Sequence, residues 1–388
     1  MHAGKLVFAQ LTDLIHPEQF RRCVRRYDGD YKVKTFSCWN QFLCMAFGQL
    51  TFRESLRDVE TCLGSRPDQL YHLGIRGAVS HSTLADANRE RDWRIYYDLA
   101  QQLIRRARAL YQDEPTGLEL KETVYALDST TIDLCLNLFP WARFRRTKGA
   151  IKLHTLLDLR GSIPAFIAIS QGKKADVRIL DDLVLEPGSF YVMDRGYVDF
   201  RRLYCFVLAA AFFVTRSKAG IKLLRLESRP VPPGSGVRSD QIVWLANLSS
   251  IRHYPDKLRR IHYVDADTGK SLVFLTNNFE LPALTIALLY KSRWKVELFF
   301  KWIKQHLRIK HFYGTSDNAV KTQVWIAVCV YVLVAIVKKQ LQSDKSLYSI
   351  LQILSVNAFE KEPLQQVLND STSQHREGDI CNQLNFSY

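Results

Sequence analysis

Five side chains between Tyr290 and Lys304 are spaced for one face of a helix. At about 100° per residue, Tyr290, Arg293, Glu297, Lys301 and Lys304 fall on one narrow stripe. Val296, Phe299 and Ile303 fall on the opposite side, where a core would take them. A carboxylate set among three cations and a phenol suits contact with a polyanion and a metal ion. The same pattern also describes a salt-bridged surface, with Glu297 an i,i+4 partner of Arg293 or Lys301. Two acids upstream bear on that choice, Asp128 and Asp194, each at the polar end of an apolar run. Singly, Asp128 could cap a strand end and Asp194 could start a turn. Gathered with Glu297, they supply hard oxygen ligands for two Mg²⁺ ions about 3.5–4 Å apart, the arrangement used for phosphoryl transfer. Such acids are costly to place together without cations, so metal binding would relieve their repulsion.

Elements that could bring them together follow from the chain's patterning. Residues 1–115 read as mostly helical, with apolar periodicity over 36–52 and 93–110. His81-Ser82-Thr83 before Leu84 reads as a helix start, with Asp86 in its first turn. A polar stretch at 113–117 marks the first boundary. Strands follow at 124–128, 151–159 and 163–170, then a short helix at 177–185 and a strand at 190–193 that ends on Asp194-Arg195-Gly196. A helix at 200–211 leads to a strand at 212–215. Residues 217–270, rich in Pro and Gly, read as a β-rich insertion. A strand at 272–276 and a long helix from about 281 come next. This order predicts an α/β protein: an RNase H-like catalytic core over 120–340 with the insertion at about 217–270. A mostly helical N-terminal domain, 1–115, precedes it, and a C-terminal tail, 341–388, follows. In that arrangement the first strand lies beside the fourth, so Asp128 and Asp194 meet and the late helix adds Glu297.

Charge and cysteine usage narrow the partners. Fifty-four Lys and Arg against 39 Asp and Glu give +15, which favours nucleic acid or another anionic surface. With 47% hydrophobic and 24% charged residues among 388, the chain is globular rather than disordered. The first ten residues lack the long apolar stretch of a signal peptide. The uncharged run 324–337 is short for a bilayer and reads as a buried helix. Eight cysteines contain no C-x-x-C pair, and Cys205 and Cys329 stand in apolar contexts, as reduced thiols in a cytoplasmic protein do.

A second basic segment lies between the first two strands. Arg143, Arg145, Arg146, Lys148 and Lys152 alternate with Trp141 and Phe144, a pattern suited to backbone phosphates with some stacking, or to a solvated hairpin tip. His154 reads either as a core histidine or as a neighbour of the metals.

Three motifs resemble those of bacterial DDE-class insertion-sequence transposases, similar to the insertion sequence four family. They are Leu127-Asp128-Ser129-Thr130, Asp194-Arg195-Gly196-Tyr197, and the family's Tyr-(two)-Arg-(three)-Glu-(six)-Lys signature, met by Tyr290, Arg293, Glu297 and Lys304. They span about 125–310. Residues 55–58 and 81–88 carry a weaker likeness to the helical domain of one branch. The resemblance implies cut-and-paste transposition: a nick at the element end, a hairpin made by the freed 3′-OH, hairpin opening, and attack on target DNA. It implies Asp128, Asp194 and Glu297 as metal-binding catalytic residues and Mg²⁺ as cofactor, with Mn²⁺ as a substitute. Tyr290, Arg293 and Lys304 would grip the scissile phosphate. The partners would be double-stranded DNA, as terminal inverted repeats and target, and a second copy in a synaptic homodimer, with no membrane. The DNA-bound protein would sit at the nucleoid. One departure is plain: the strand before the acidic helix, Leu272-Val273-Phe274-Leu275-Thr276, has no tryptophan to stack on a flipped base, leaving Phe274 or Trp244 to substitute. Two other readings remain: a non-catalytic or repurposed DNA-binding protein, and a structure-specific nuclease without strand transfer.

Overall fold

A computed structural model of the chain describes residues 4–118, 120–306 and 312–370. Six helices come first: α1 (Val7–Thr12), α2 (Pro17–Arg26), α3 (Cys38–Leu50), α4 (Leu56–Gly64), α5 (His81–Glu90) and α6 (Arg94–Leu110). Strands β1 (Val124–Leu134), β2 (Gly149–Asp158), β3 (Ile163–Gln171) and β4 (Phe190–Met193) follow, then α7 (Phe200–Leu208) and β5 (Phe212–Arg216). Next are β6 (Leu223–Arg229), β7 (Val237–Leu245), α8 (Leu248–His253), β8 (Leu258–Val264) and β9 (Ser271–Thr276). The chain then forms α9 (Ala283–Ser292), α10 (Trp294–His306), α11 (Asp317–Gln340), α12 (Leu347–Val356) and α13 (Leu364–Asp370). Two compact units result, Met1–Arg106 with Ile303–Tyr388, and Ala107–Trp302.

The helical unit is thus assembled from two separated stretches of chain. Its centre is α11, whose residues from Val324 to Val337 are all buried. This helix packs against α1, α3, α5 and α12. It is long and apolar enough to cross a bilayer by composition, yet 94% of its apolar window is buried within the protein, as the run 324–337 suggested. Serine caps start its neighbours, with Ser37 accepting from the Asn40 N–H and Ser55 forming a capping box with Asp58. Ser80, not the 81–83 segment, precedes α5. Residues 341–370, expected as part of a tail, contain α12 and α13. Ile350, Leu351 and Leu354 recur at helical spacing and are buried. The rest of that tail, 371–388, lies outside the described residues.

The second unit is built on a nine-stranded mixed sheet in the order β3-β2-β1-β4-β5-β9-β8-β7-β6. β1 runs antiparallel to β2 and parallel to β4, and β4 runs parallel to β5. Residues 217–270, expected as a β-rich insertion, carry β6, β7 and β8 and extend this sheet. β9 pairs with β5 on one edge and β8 on the other, so the added strands share the main ladder. The core is correspondingly continuous: Leu127, Tyr191, Met193, Phe206 and Phe213 pack in one cluster with Val243, Leu245, Tyr254 and Leu258. Gly161 shapes the β2–β3 turn. Its φ of +67° is left-handed, and a Cβ there would enter the Tyr111 ring. The short helix expected at 177–185 is a 3₁₀ helix, Asp176–Asp182. Cys329 is buried as its apolar context suggested, whereas Cys205 faces solvent on α7.

Candidate active site

The two upstream acids are set by the sheet register. In the β1–β4 ladder Val124 pairs with Phe190 and Leu127 with Met193. Asp128 and Asp194 are each the next residue, so they leave adjacent strands, about 4.8 Å apart, at the same level. β1 does not end there, as its polar Ser129-Thr130-Thr131 suggested. It runs to Leu134 because β2 continues to pair with it, Thr155 opposite Asp128. The chain after Met193 instead turns away as a short 3₁₀ segment, Arg195–Tyr197. The two chains diverge just past the paired segment, beside the carboxyl end of β4, and ligands in such sheets usually bind where neighbouring strands part in this way.

The third acid arrives through two helices rather than one. Between α9 and α10 the Arg293 N–H bonds the Tyr290 carbonyl at 3.2 Å and the Val296 N–H bonds the Arg293 carbonyl at 3.0 Å. These i,i+3 bonds tighten the turn at Arg293, so the single stripe read from spacing is broken at its second residue. The side chains still converge on the two upstream acids. Tyr290 Oη donates to Asp194 Oδ1 at 3.1 Å. Arg293 Nη1 reaches Asp128 Oδ2 at 2.5 Å and Nη2 reaches Glu297 Oε1 at 2.7 Å. The Ser129 N–H donates to Asp128 Oδ1 at 2.8 Å. Burial raises the Asp128 carboxyl above its usual range, the Arg293 guanidinium opposes that, and the charges of Glu297 and Asp194 add to it. Burial, with the Asp194 charge, pushes the Tyr290 phenol up to about 12. Val296 and Phe299 are buried behind the site, as their spacing implied.

The basic residues distribute unevenly. Lys301 is exposed on α10 and Lys304 half-buried. Arg143, Arg145, Arg146 and Lys148 are exposed together at the β1–β2 hairpin tip, where the Arg145 guanidinium lies over the Phe144 ring. Lys152 does not join them. Its ammonium is held inward by Asp176 Oδ1 and the Lys174 carbonyl, each at 3.0 Å. Phe274 is fully buried against the Tyr290 ring, whereas Trp244 is 44% exposed on β7. Sequence reasoning missed two features. Asp176 accepts from the Ser129 hydroxyl at 2.8 Å, and the only signal was an acid just after β3. Trp294 is 59% exposed one residue from Arg293, although an apolar residue in a helix usually reads as core.

His154 belongs to the fold rather than to the acids. It is fully buried, and its Nε2 shares a hydrogen bond with Ser170 Oγ at 2.8 Å. Burial lowers its pKa to about 4, outweighing Asp176 at 3.8 Å. The folded protein therefore binds fewer protons than the unfolded chain between about pH 4 and 6.5. The stability this neutral ring contributes is complete above that window and lost as pH falls through it. Relative to a His154→Gln variant, the wild type should lose about 2 kcal/mol between pH 8 and pH 5, read from urea midpoints. A parallel pH dependence in the two proteins would show that the ring is charged when folded.

Three acids and an arginine gathered where β1 and β4 part are side chains suited to phosphoryl transfer. Comparison with known proteins agrees. The family described as "Transposase DDE domain" matches residues 119–333, and a "Domain of unknown function (DUF4372)" matches residues 3–76. The chain belongs to the DDE-domain transposases of insertion-sequence type. A Sinorhizobium fredii protein named as transposase y4zB is 36% identical over 261 residues, 65% of this chain and 70% of that one. A Geobacillus stearothermophilus protein named as the transposase for insertion sequence element IS5377 is 32% identical over 219 residues, 56% of this chain and 57% of that one. A Synechocystis protein named for element IS4SA is 23% identical over 299 residues, 74% and 81% of the two chains.

The family implies a divalent metal, and the donors suit one. Asp128, Asp194 and Glu297 offer only hard oxygens. Burial, and after it the charges of Glu297 and Asp194, raise the Asp128 carboxyl, and a bound cation would offset both. Among the described residues no three His, Cys, Asp or Glu side chains already form a metal-holding group, and the Arg293 guanidinium pairs with both Asp128 and Glu297.

Proposed function

We propose that this transposase moves an insertion sequence by cut-and-paste, through metal-dependent phosphodiester hydrolysis and strand transfer with a hairpin intermediate. The observation that carries the reading is the equal register of Asp128 and Asp194, each one residue past the β1–β4 ladder, with Glu297 tied in through Arg293. The strand order β3-β2-β1-β4-β5 supports an RNase H-like core. Asp128, Asp194 and Glu297 would hold two Mg²⁺ ions, or Mn²⁺ in their place. Such ions neutralise charge on the phosphate and sharpen the attacking hydroxyl or water. Tyr290 orients the Asp194 carboxylate by its hydrogen bond. Arg293 exchanges its two carboxylates for phosphate oxygens, for which a planar fork is suited. Lys304, Lys301 and the hairpin-tip cations Arg143, Arg145, Arg146 and Lys148 take flanking phosphates. Trp294, exposed beside Arg293, offers a flat face to an unstacked base. The helical unit contributes recognition of the element ends, two copies pair the ends in a synaptic homodimer, and the reaction takes place in the cytoplasm at the nucleoid.

The test is a plasmid carrying the element between its terminal repeats, incubated with the protein and Mg²⁺. Excised element with hairpin ends, visible on a denaturing gel, is expected. Double-strand breaks without hairpins would remove that step, and integration without excision would remove cut-and-paste.

Arg293 gives a separate prediction. Arg293→Ala should slow cleavage and flatten the log–log dependence of DNA binding on salt by about one unit. It should also leave Asp128 and Glu297 without their shared cation, so Mg²⁺ should raise the variant's Tm more than the wild type's. Replacing exposed Lys301 should have a smaller effect. Wild-type cleavage and salt slope in Arg293→Ala would make this helix junction a purely structural device.

A further inference from the structure

Two helices of the first unit face one another with the wrong chemistry for packing. The spacing i, i+3, i+4, i+7 usually carries the apolar stripe of a buried helix face. On α2 that spacing holds Gln19, Arg22, Cys23 and Arg26. On α6 it holds Asp98, Gln101, Gln102 and Arg105. These two stripes line a single cleft of about 330 Å³. Each helix packs through other residues: Phe20 and Val24 on α2, and Leu99, Leu103 and Ile104 on α6. Apart from buried Cys23, these stripes are therefore surplus to the core.

The cleft is rich in donors. Asp98, its one carboxylate, is already engaged by Arg26 at 2.7 Å and by Tyr27 Oη at 3.2 Å. Gln102 donates to the buried Cys23 sulfur at 3.1 Å and so forms part of the floor. Arg22 and Arg105 are exposed, and among the described residues neither pairs with a carboxylate. The other flank of α2 differs, since Arg21 and Arg25 both pair with Glu18. Two unneutralised guanidiniums, with amides beside them, call for an anion. Seven residues of helix span about 10 Å, which matches about three phosphates of one DNA strand at roughly 3.4 Å of axis each.

We propose that the α2–α6 cleft is a docking site for the DNA sugar–phosphate backbone, with Arg22 and Arg105 as its phosphate ligands. The site gives a role to part of the region that matches a domain of unknown function, and it rests on the DNA-processing reading above. Backbone contact carries no sequence information of its own, so the cleft sets affinity and register while other surfaces read the bases.

The experiment measures binding of the full chain to a 30-base-pair duplex of arbitrary sequence over a salt series. Arg22→Gln and Arg105→Gln should each lower the log–log slope by about 0.9, and the double variant by about 1.8. A paired control, Arg21→Gln with Arg25→Gln, should keep the wild-type slope. All these side chains are exposed, so an unchanged Tm verifies folding, and the single variants report independently of the double. A wild-type slope in the double variant, or an equal fall in the control, would overturn the assignment to this cleft and leave the transposase reading intact. A wild-type chain that bound no duplex at any salt would overturn both.

Discussion

Replacing Asp128, Asp194 or Glu297 by alanine is expected to abolish Mg²⁺-supported cleavage of element-end DNA, by about 10³-fold or more each. That figure is what losing several kcal/mol of charge stabilisation at a metal site implies. Binding of the same DNA should persist, because the contacting cations lie on other side chains. The three losses should not add. Acids that act as one metal-holding unit fail together, so a double variant should be scarcely worse than either single one. Asp128→Ala carries an extra signature. It removes the most buried partner of Arg293, so Glu297 should hold the guanidinium alone and the Tm should change little. Retained cleavage in Glu297→Ala, with wild-type products, would remove the DDE assignment for this helix.

The second large effect lies away from the acids. Arg259 on β8 is buried and paired twice with Asp240 on β7, at 2.9 and 2.7 Å. Its remaining nitrogen donates to the Leu281 carbonyl at 2.6 Å, in the loop that leads into α9. The strands read as an insertion thus hold the start of the helices that carry Tyr290, Arg293 and Glu297. Asp240→Asn leaves a buried guanidinium without its counter-charge and should cost about 3–5 kcal/mol. Thermal melting should show this as a fall of roughly 10 °C for a unit of this size. Cleavage should weaken as well, since α9 loses its anchor. The double replacement Asp240→Leu with Arg259→Met should recover much of the stability but not the bond to Leu281. An Asp240→Asn protein melting within 2 °C of the wild type would show that water already solvates the pair.

The sequence by itself singled out the residues proposed to carry the chemistry. Asp128, Asp194 and Glu297 stand in fixed motifs, and the apolar runs before the first two imply strands whatever their neighbours. α11 was legible for the same reason: a long uncharged run must be buried somewhere. Local pattern could not supply what depends on pairing between distant segments. β1 reads as ending at Asp128 because its own residues turn polar there, yet β2 keeps it extended to Leu134. The 217–270 segment reads as a β-rich insertion because proline and glycine punctuate it, and only strand pairing shows that β9 joins it to the sheet. Lys152 and Arg145 look alike in sequence, and only the fold turns one inward to Asp176 and leaves the other at the hairpin tip. Arg293 was placed in a helix by its spacing, but its position between Asp128 and Glu297 required a strand 165 residues away. Residue type and period are local properties, set by the chain's own geometry. Register, ion-pair partners and the tightened turn at Arg293 arise from contacts between segments far apart in the chain, which tertiary packing alone decides.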